Sequence, residues 1–106
     1  MLGYYSDVPT VLRQTGFEFR IYTTDHSPVH VHVWKAGREV VINLGDRNVK
    51  PYVRENRGMR KRDEIRALRI AAIHQLFLIG EWMRIHGYEQ GQDTPMGQMG
   101  IYRGGA

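Results

Sequence analysis

Between Asp25 and Trp34 the chain reads Asp-His-Ser-Pro-Val-His-Val-His-Val-Trp, with three of its five histidines inside seven positions. From Val29 onward, valine alternates with histidine or tryptophan. A period of two fits a β-strand and excludes a helix. Such a strand turns Val29, Val31 and Val33 to one face and His30, His32 and Trp34 to the other. The rest of the chain must bury the first face and leave the second polar.

The flanking residues supply partners for that strand. Thr10-Val11-Leu12-Arg13 and Phe17-Glu18-Phe19-Arg20-Ile21-Tyr22 read as a hairpin around Gln14-Thr15-Gly16, with Phe17, Phe19 and Ile21 inward. The segment from Thr23 to Pro28 is a loop, and Pro28, lacking a donor N–H, is expected at the first position of the histidine strand. Ala36-Gly37 reads as a tight turn into Glu39-Val40-Val41-Ile42-Asn43-Leu44. A two-residue loop sets Val33 opposite Val40, Val31 opposite Ile42, Trp34 opposite Glu39, His32 opposite Val41 and His30 opposite Asn43. This register collects His30, His32, Trp34, Glu39 and Asn43 on one face, about 5 Å apart across the strands.

Past Leu44 the apolar periodicity fades, and Gly45 to Gly58 reads as an arginine-rich mobile linker punctuated by Pro51. One long helix is expected from about Arg60 to His86, stopped by Gly87. Ile65, Leu68, Ala72, Leu76, Ile79 and Met83 repeat at helical spacing and are assigned to the sheet's apolar face. Ile70, Ile73 and Phe77 then face outward, and a homodimer or a protein partner is expected to cover them. The predicted fold is α+β: an antiparallel meander of about four strands, residues 10 to 44, packed on one C-terminal helix. Residues 1–8 are a leader, 9–87 a single domain, and 88–106 a flexible tail with six glycines from Gly87 onward.

At 106 residues and 42% hydrophobic content there is material for one core. The absence of cysteine excludes disulfides, thiolate metal ligands and thiol nucleophiles. No stretch approaches the roughly 18 apolar residues of a membrane span, and the first residues lack a signal-peptide pattern, so a cytoplasmic location is expected. The net charge of +4 is uneven. Nine basic residues lie between Arg47 and Arg69 against Glu55, Asp63 and Glu64, giving +6 there and −2 elsewhere. Twelve of the fifteen cations are arginine, which suits bidentate contact with phosphate or carboxylate. Arg54, Arg57, Arg60, Lys61 and Arg62 are the candidate phosphate contacts, and Trp34 a candidate stacking platform for a base.

His30 and His32, with His26 and Asp25 nearby, are the candidate catalytic residues. Two imidazoles on one strand face, about 6 to 7 Å apart, suit an acid–base pair for RNA cleavage through the 2′-hydroxyl. The same spacing suits a metal site if a third ligand arrives from His26, Asp25 or Glu39. A third possibility is an outward polar pair with no chemistry, one ring bonded to a neighbour such as Asn43. With Asn43 opposite His30, the strands alone form an incomplete coordination shell, and a third ligand would have to come from the Thr23 to Pro28 loop. No stoichiometric metal and no cofactor is therefore expected.

Pro9-Thr10-Val11-Leu12-Arg13, Gly16-Phe17, Asp25-His26, Pro28-x-His30-Val31-His32-Val33 and Lys35-x-Gly37 together resemble the DhiT-like family of small bacterial proteins. The resemblance covers residues 9 to 44. It implies the toxin half of a type II toxin–antitoxin module with a cognate antitoxin as partner, and no established catalytic mechanism. The expected function is a toxin acting on nucleic acid, RNA first, with a ribonuclease-type reaction as one form of that activity. The alternative is a non-catalytic module that binds nucleic acid or protein.

Overall fold

Across the Ala36-Gly37 turn the strands pair in the register that a two-residue loop requires: His30 with Asn43, Val31 with Ile42, His32 with Val41, Val33 with Val40 and Trp34 with Glu39. Both turn residues have positive φ, 50° and 78°, the left-handed conformation in which glycine at the second position is unstrained. The computed structural model describes residues 9–87. It holds strands β1 (Thr10–Gln14), β2 (Phe17–Arg20), β3 (His30–Lys35), β4 (Arg38–Asn43) and β5 (Tyr52–Arg57), then helices α1 (Lys61–Ile73) and α2 (Gln75–Ile85). The strands form one antiparallel sheet in sequence order, and the fold is α+β. The leader and tail assigned from sequence lie outside the described residues.

Four expectations need correction. The linker assigned to residues 45–58 contains the fifth strand. Only Val53 in β5 joins the core, because an edge strand faces solvent and is protected from pairing with other chains by charge. Its register slips opposite Val41 and Ile42, which pair with Glu55 and Val53, so Arg54 is the extra residue of a β-bulge. Pro28 lies two residues before β3 and not at its first position.

The long helix is broken at His74, with no glycine or proline at the break. Tertiary hydrogen bonds hold it. His74 Nε2 lies 3.2 Å from Gln14 Oε1, and Gln75 Nε2 donates to the carbonyls of Leu44, Asp46 and Val49 at 2.7, 3.0 and 3.0 Å. These bonds tie the helix pair to β1 and to the β4–β5 loop.

The helical face against the sheet also differs. Ala67, Ile70, Ala71, Leu78 and Trp82 are buried with Phe17, Phe19, Ile21, Val31, Val33, Val40, Ile42 and Leu44. Ile65 and Leu76, assigned to the core from spacing, are exposed, and so is Ala72; Leu68 and Ile79 are half-buried against the core. Ile70, expected outside, is inside. The small Ala67 and Ala71 bring the helix close to the sheet, and the break at His74 shifts the phase on which a single helical wheel depends.

Candidate functional site

The sheet face away from the main core should be wet, yet His30, His32, Glu39 and Asn43 are all buried there, alongside Val41. Burying polar groups is costly unless they are paired, and here they are paired. His32 Nδ1 lies 2.7 Å from Glu39 Oε2, and Glu39 Oε1 accepts a hydrogen bond from Arg57 Nη1 at 3.2 Å. His30 Nδ1 donates to the Pro28 carbonyl at 2.8 Å. The bulge turns the exposed Arg54 toward this face, where its Nε donates to Asn43 Oδ1 at 2.8 Å.

The loop before β3 folds Asp25 over the two rings. Asp25 Oδ2 accepts from the Tyr22 backbone N–H at 2.9 Å, while Oδ1 stands 3.1 Å from His32 Nε2 and 3.4 Å from His30 Nε2. Each of the three residues offers one ligand atom, all within 4.8 Å of one another. The loop thus delivers the third ligand that the strands alone lack. Tyr22 packs on His32 with ring centroids 4.4 Å apart. Trp82 reaches His30 from the helix layer at 5.1 Å. Burial pushes the His30 imidazole below its usual range, against the opposing pulls of the Pro28 carbonyl and Asp25.

A second feature lies at the turn end of the sheet. Three surface grooves adjoin there through shared lining residues. One, of about 500 Å³, is lined by Arg13, Glu18, Arg20, Trp34 and Lys35 among others. It shares Lys35 and Ala36 with a groove of about 370 Å³ lined by Arg38, Arg60, Arg62, Asp63 and Arg66. Arg66 also lines a groove of about 230 Å³ with Arg69, Gln14 and Thr15. Eight cations and two carboxylates line this surface.

The family model that matches the chain spans residues 16–83, from the β1–β2 turn into α2 and across the whole cluster. The chain belongs to the DUF4160 family, a domain of unknown function. No curated protein and no solved structure matched. Among the described residues of this DUF4160 chain, no helix is long and apolar enough to cross a membrane.

Of the candidate catalytic residues, the DUF4160 fold brings together His30, His32 and Asp25; His26 is exposed, with no hydrogen bond to the cluster among the described contacts. The candidate phosphate contacts divide. Arg54 and Arg57 serve the histidine face, bonded to Asn43, Glu39 and Glu55, and Lys61 pairs with Glu64. Arg60 and Arg62 line the basic grooves with Trp34's neighbour Lys35. Trp34 itself donates to the Tyr22 hydroxyl at 3.3 Å, with the Arg20 guanidinium 5.1 Å over its ring. Sequence reasoning missed Tyr22, although alternation with Glu18 and Arg20 marked it as facing the same way. It missed Trp82, for which a mis-phased helix left no signal. Arg13, Arg20, Arg38, Arg66 and Arg69 were also missed because only folding gathers them.

Proposed function

We propose that this DUF4160 protein binds and acts on nucleic acid, RNA first, as the toxin component of a type II toxin–antitoxin pair in the cytoplasm. One observation carries the nucleic-acid reading: the three adjoining grooves present eight cations against two carboxylates, and although Arg13 and Arg20 pair with Glu18 and Lys35 with Asp63, six positive charges remain in excess. Arginine forks suit phosphate oxygens, and Trp34, which lines the largest of the three grooves with the Arg20 guanidinium over one side of its ring, is the aromatic on which a base would stack. Trp34 stands two positions from His32 on the same strand face, about 6 to 7 Å along it. A strand held in the groove therefore runs toward His30, His32 and Asp25, the proposed reacting or recognising centre. The toxin role, and a cognate antitoxin as partner, rest on the resemblance of residues 9 to 44.

The competing reading is a binding module without catalysis. The burial of the two histidines favours it, since His30 is 3% and His32 8% exposed, and such rings can serve as a polar brace for the loop. Expression in a bacterial host separates the two. Under the first reading, production arrests growth and His30→Gln with His32→Gln abolishes the arrest while circular dichroism shows a folded protein. Arrest that survives those substitutions and disappears with Arg62→Glu and Arg66→Glu establishes the second.

A further inference from the structure

In the Asp25, His30 and His32 cluster each residue has one polar atom fixed from outside, and the remaining atoms face one another. His30 Nδ1 lies 2.8 Å from the Pro28 carbonyl, which can only accept, so that nitrogen carries the proton. In neutral His30, Nε2 is then a bare lone pair. His32 Nδ1 is taken by Glu39, itself held by Arg57. Asp25 Oδ2 is taken by the Tyr22 N–H. What remains is His30 Nε2, His32 Nε2 and Asp25 Oδ1, with the oxygen 3.4 and 3.1 Å from the two nitrogens. Lone pairs facing at those distances repel unless a positive charge joins them.

A cation fits both oxygen–nitrogen distances. With bonds of about 2.0 to 2.1 Å to nitrogen and oxygen, a tetrahedral ion sets neighbouring ligand atoms about 3.3 Å apart. Both measured oxygen–nitrogen separations bracket that value. The outer contacts also match what metal-bound histidines require, since each donates its other N–H to a carboxylate or a backbone carbonyl, fixing tautomer and ring orientation. Two histidines and one carboxylate, with no sulfur, suit a divalent first-row ion and leave at least one coordination position for water or substrate.

We propose that Asp25, His30 and His32 form a binding site for a divalent transition-metal ion, zinc first, with Glu39 and the Pro28 carbonyl as the outer groups that orient the two rings. This reverses the expectation drawn from the strands alone, because the loop supplies the missing carboxylate. The rival arrangement is a protonated His32 bridging Glu39 and Asp25, with a proton in the place of the metal. The proposal does not rest on the nucleic-acid reading: growth arrest or RNA binding by metal-free protein would retain that reading, and metal binding without either would retain this one.

The test uses full-length protein with any affinity tag removed, stripped with chelator and titrated with Zn²⁺ and separately with Co²⁺. The expected result is one ion per chain, with Co²⁺ giving the visible absorption of a low-coordinate nitrogen and oxygen site. Asp25→Asn and His32→Gln should abolish uptake, Glu39→Gln should weaken it about 10- to 100-fold, and His26→Gln should leave it unchanged. The wild-type titration needs no variant to fold. Folded wild-type protein that takes up neither ion, or uptake that survives Asp25→Asn and is lost in His26→Gln, would overturn the site.

Discussion

His32 Nδ1 and Glu39 Oε2 lie 2.7 Å apart, joining β3 to β4 across the buried polar face, and this contact turns the other ring nitrogen toward Asp25. Glu39 also receives Arg57 from the edge strand. Replacing Glu39 with Ala leaves a buried ring N–H without its acceptor. The expected loss is about 1 to 3 kcal/mol in denaturant unfolding. Glu39→Gln keeps an acceptor oxygen and should cost less, so equal losses for the two would show that the His32 contact contributes little.

Two glycines should respond in opposite directions to alanine. Gly45 has φ of +69°, and a Cβ built on it would collide with the Val49 carbonyl in the β4–β5 loop, so Gly45→Ala should destabilise by more than about 1 kcal/mol. Gly80 lies within α2 with open space around it, so Gly80→Ala should stabilise by about 0.5 to 1 kcal/mol. Thermal melts of both variants check the pair.

Asn56 ties the end of β5 to the start of α1. It accepts from the Met59 N–H at 2.7 Å and donates to the Glu64 carboxylate at 2.7 Å. The Asn56 hydrogen bond, followed by Lys61, holds the Glu64 carboxyl below its ordinary 4.5. A carboxyl with a depressed folded pKa contributes stability above the ordinary value and loses it as pH falls below. Wild-type stability should therefore fall below about pH 4.5 more steeply than that of Glu64→Gln, measured as unfolding free energy against pH.

Ile73, Leu76 and Phe77 stand out on the helix pair at 70%, 66% and 49% exposure, while Ile70 is core. We expect a second copy or the proposed antitoxin to cover these three. Sedimentation should show a species heavier than the 12.3 kDa chain, and Ile73→Gln with Phe77→Gln should return it to a monomer. A wild-type monomer that also fails to bind the protein encoded beside it would remove the basis for an interface here.

How far the sequence could be read depended on how local the determinant was. Alternation and a two-residue turn were enough to assign the β3–β4 pairing residue by residue, because each step of that register is local. They also placed Glu39 and Asn43 beside the histidines. The bulge at Arg54 was hidden, because charged edge residues carry no inward and outward pattern. The helix face was misread because both arcs near residues 70 to 79 are apolar, and the break at His74 is held by contacts with Gln14 and the β4–β5 loop. Asp25 was named as a candidate from proximity in the chain, but only the folded loop distinguishes it from His26.

The most direct test of the account is binding of a fluorescent single-stranded RNA by full-length protein, followed by anisotropy across a salt series. Phosphate contacts along the basic grooves predict that the logarithm of affinity falls linearly with the logarithm of salt, by about 0.7 per phosphate neutralised. Arg38→Glu, Arg62→Glu and Arg66→Glu should weaken binding and flatten that slope, and Trp34→Ala should weaken binding without flattening it. No binding at low salt, or binding that the three charge reversals leave unchanged, would contradict the account.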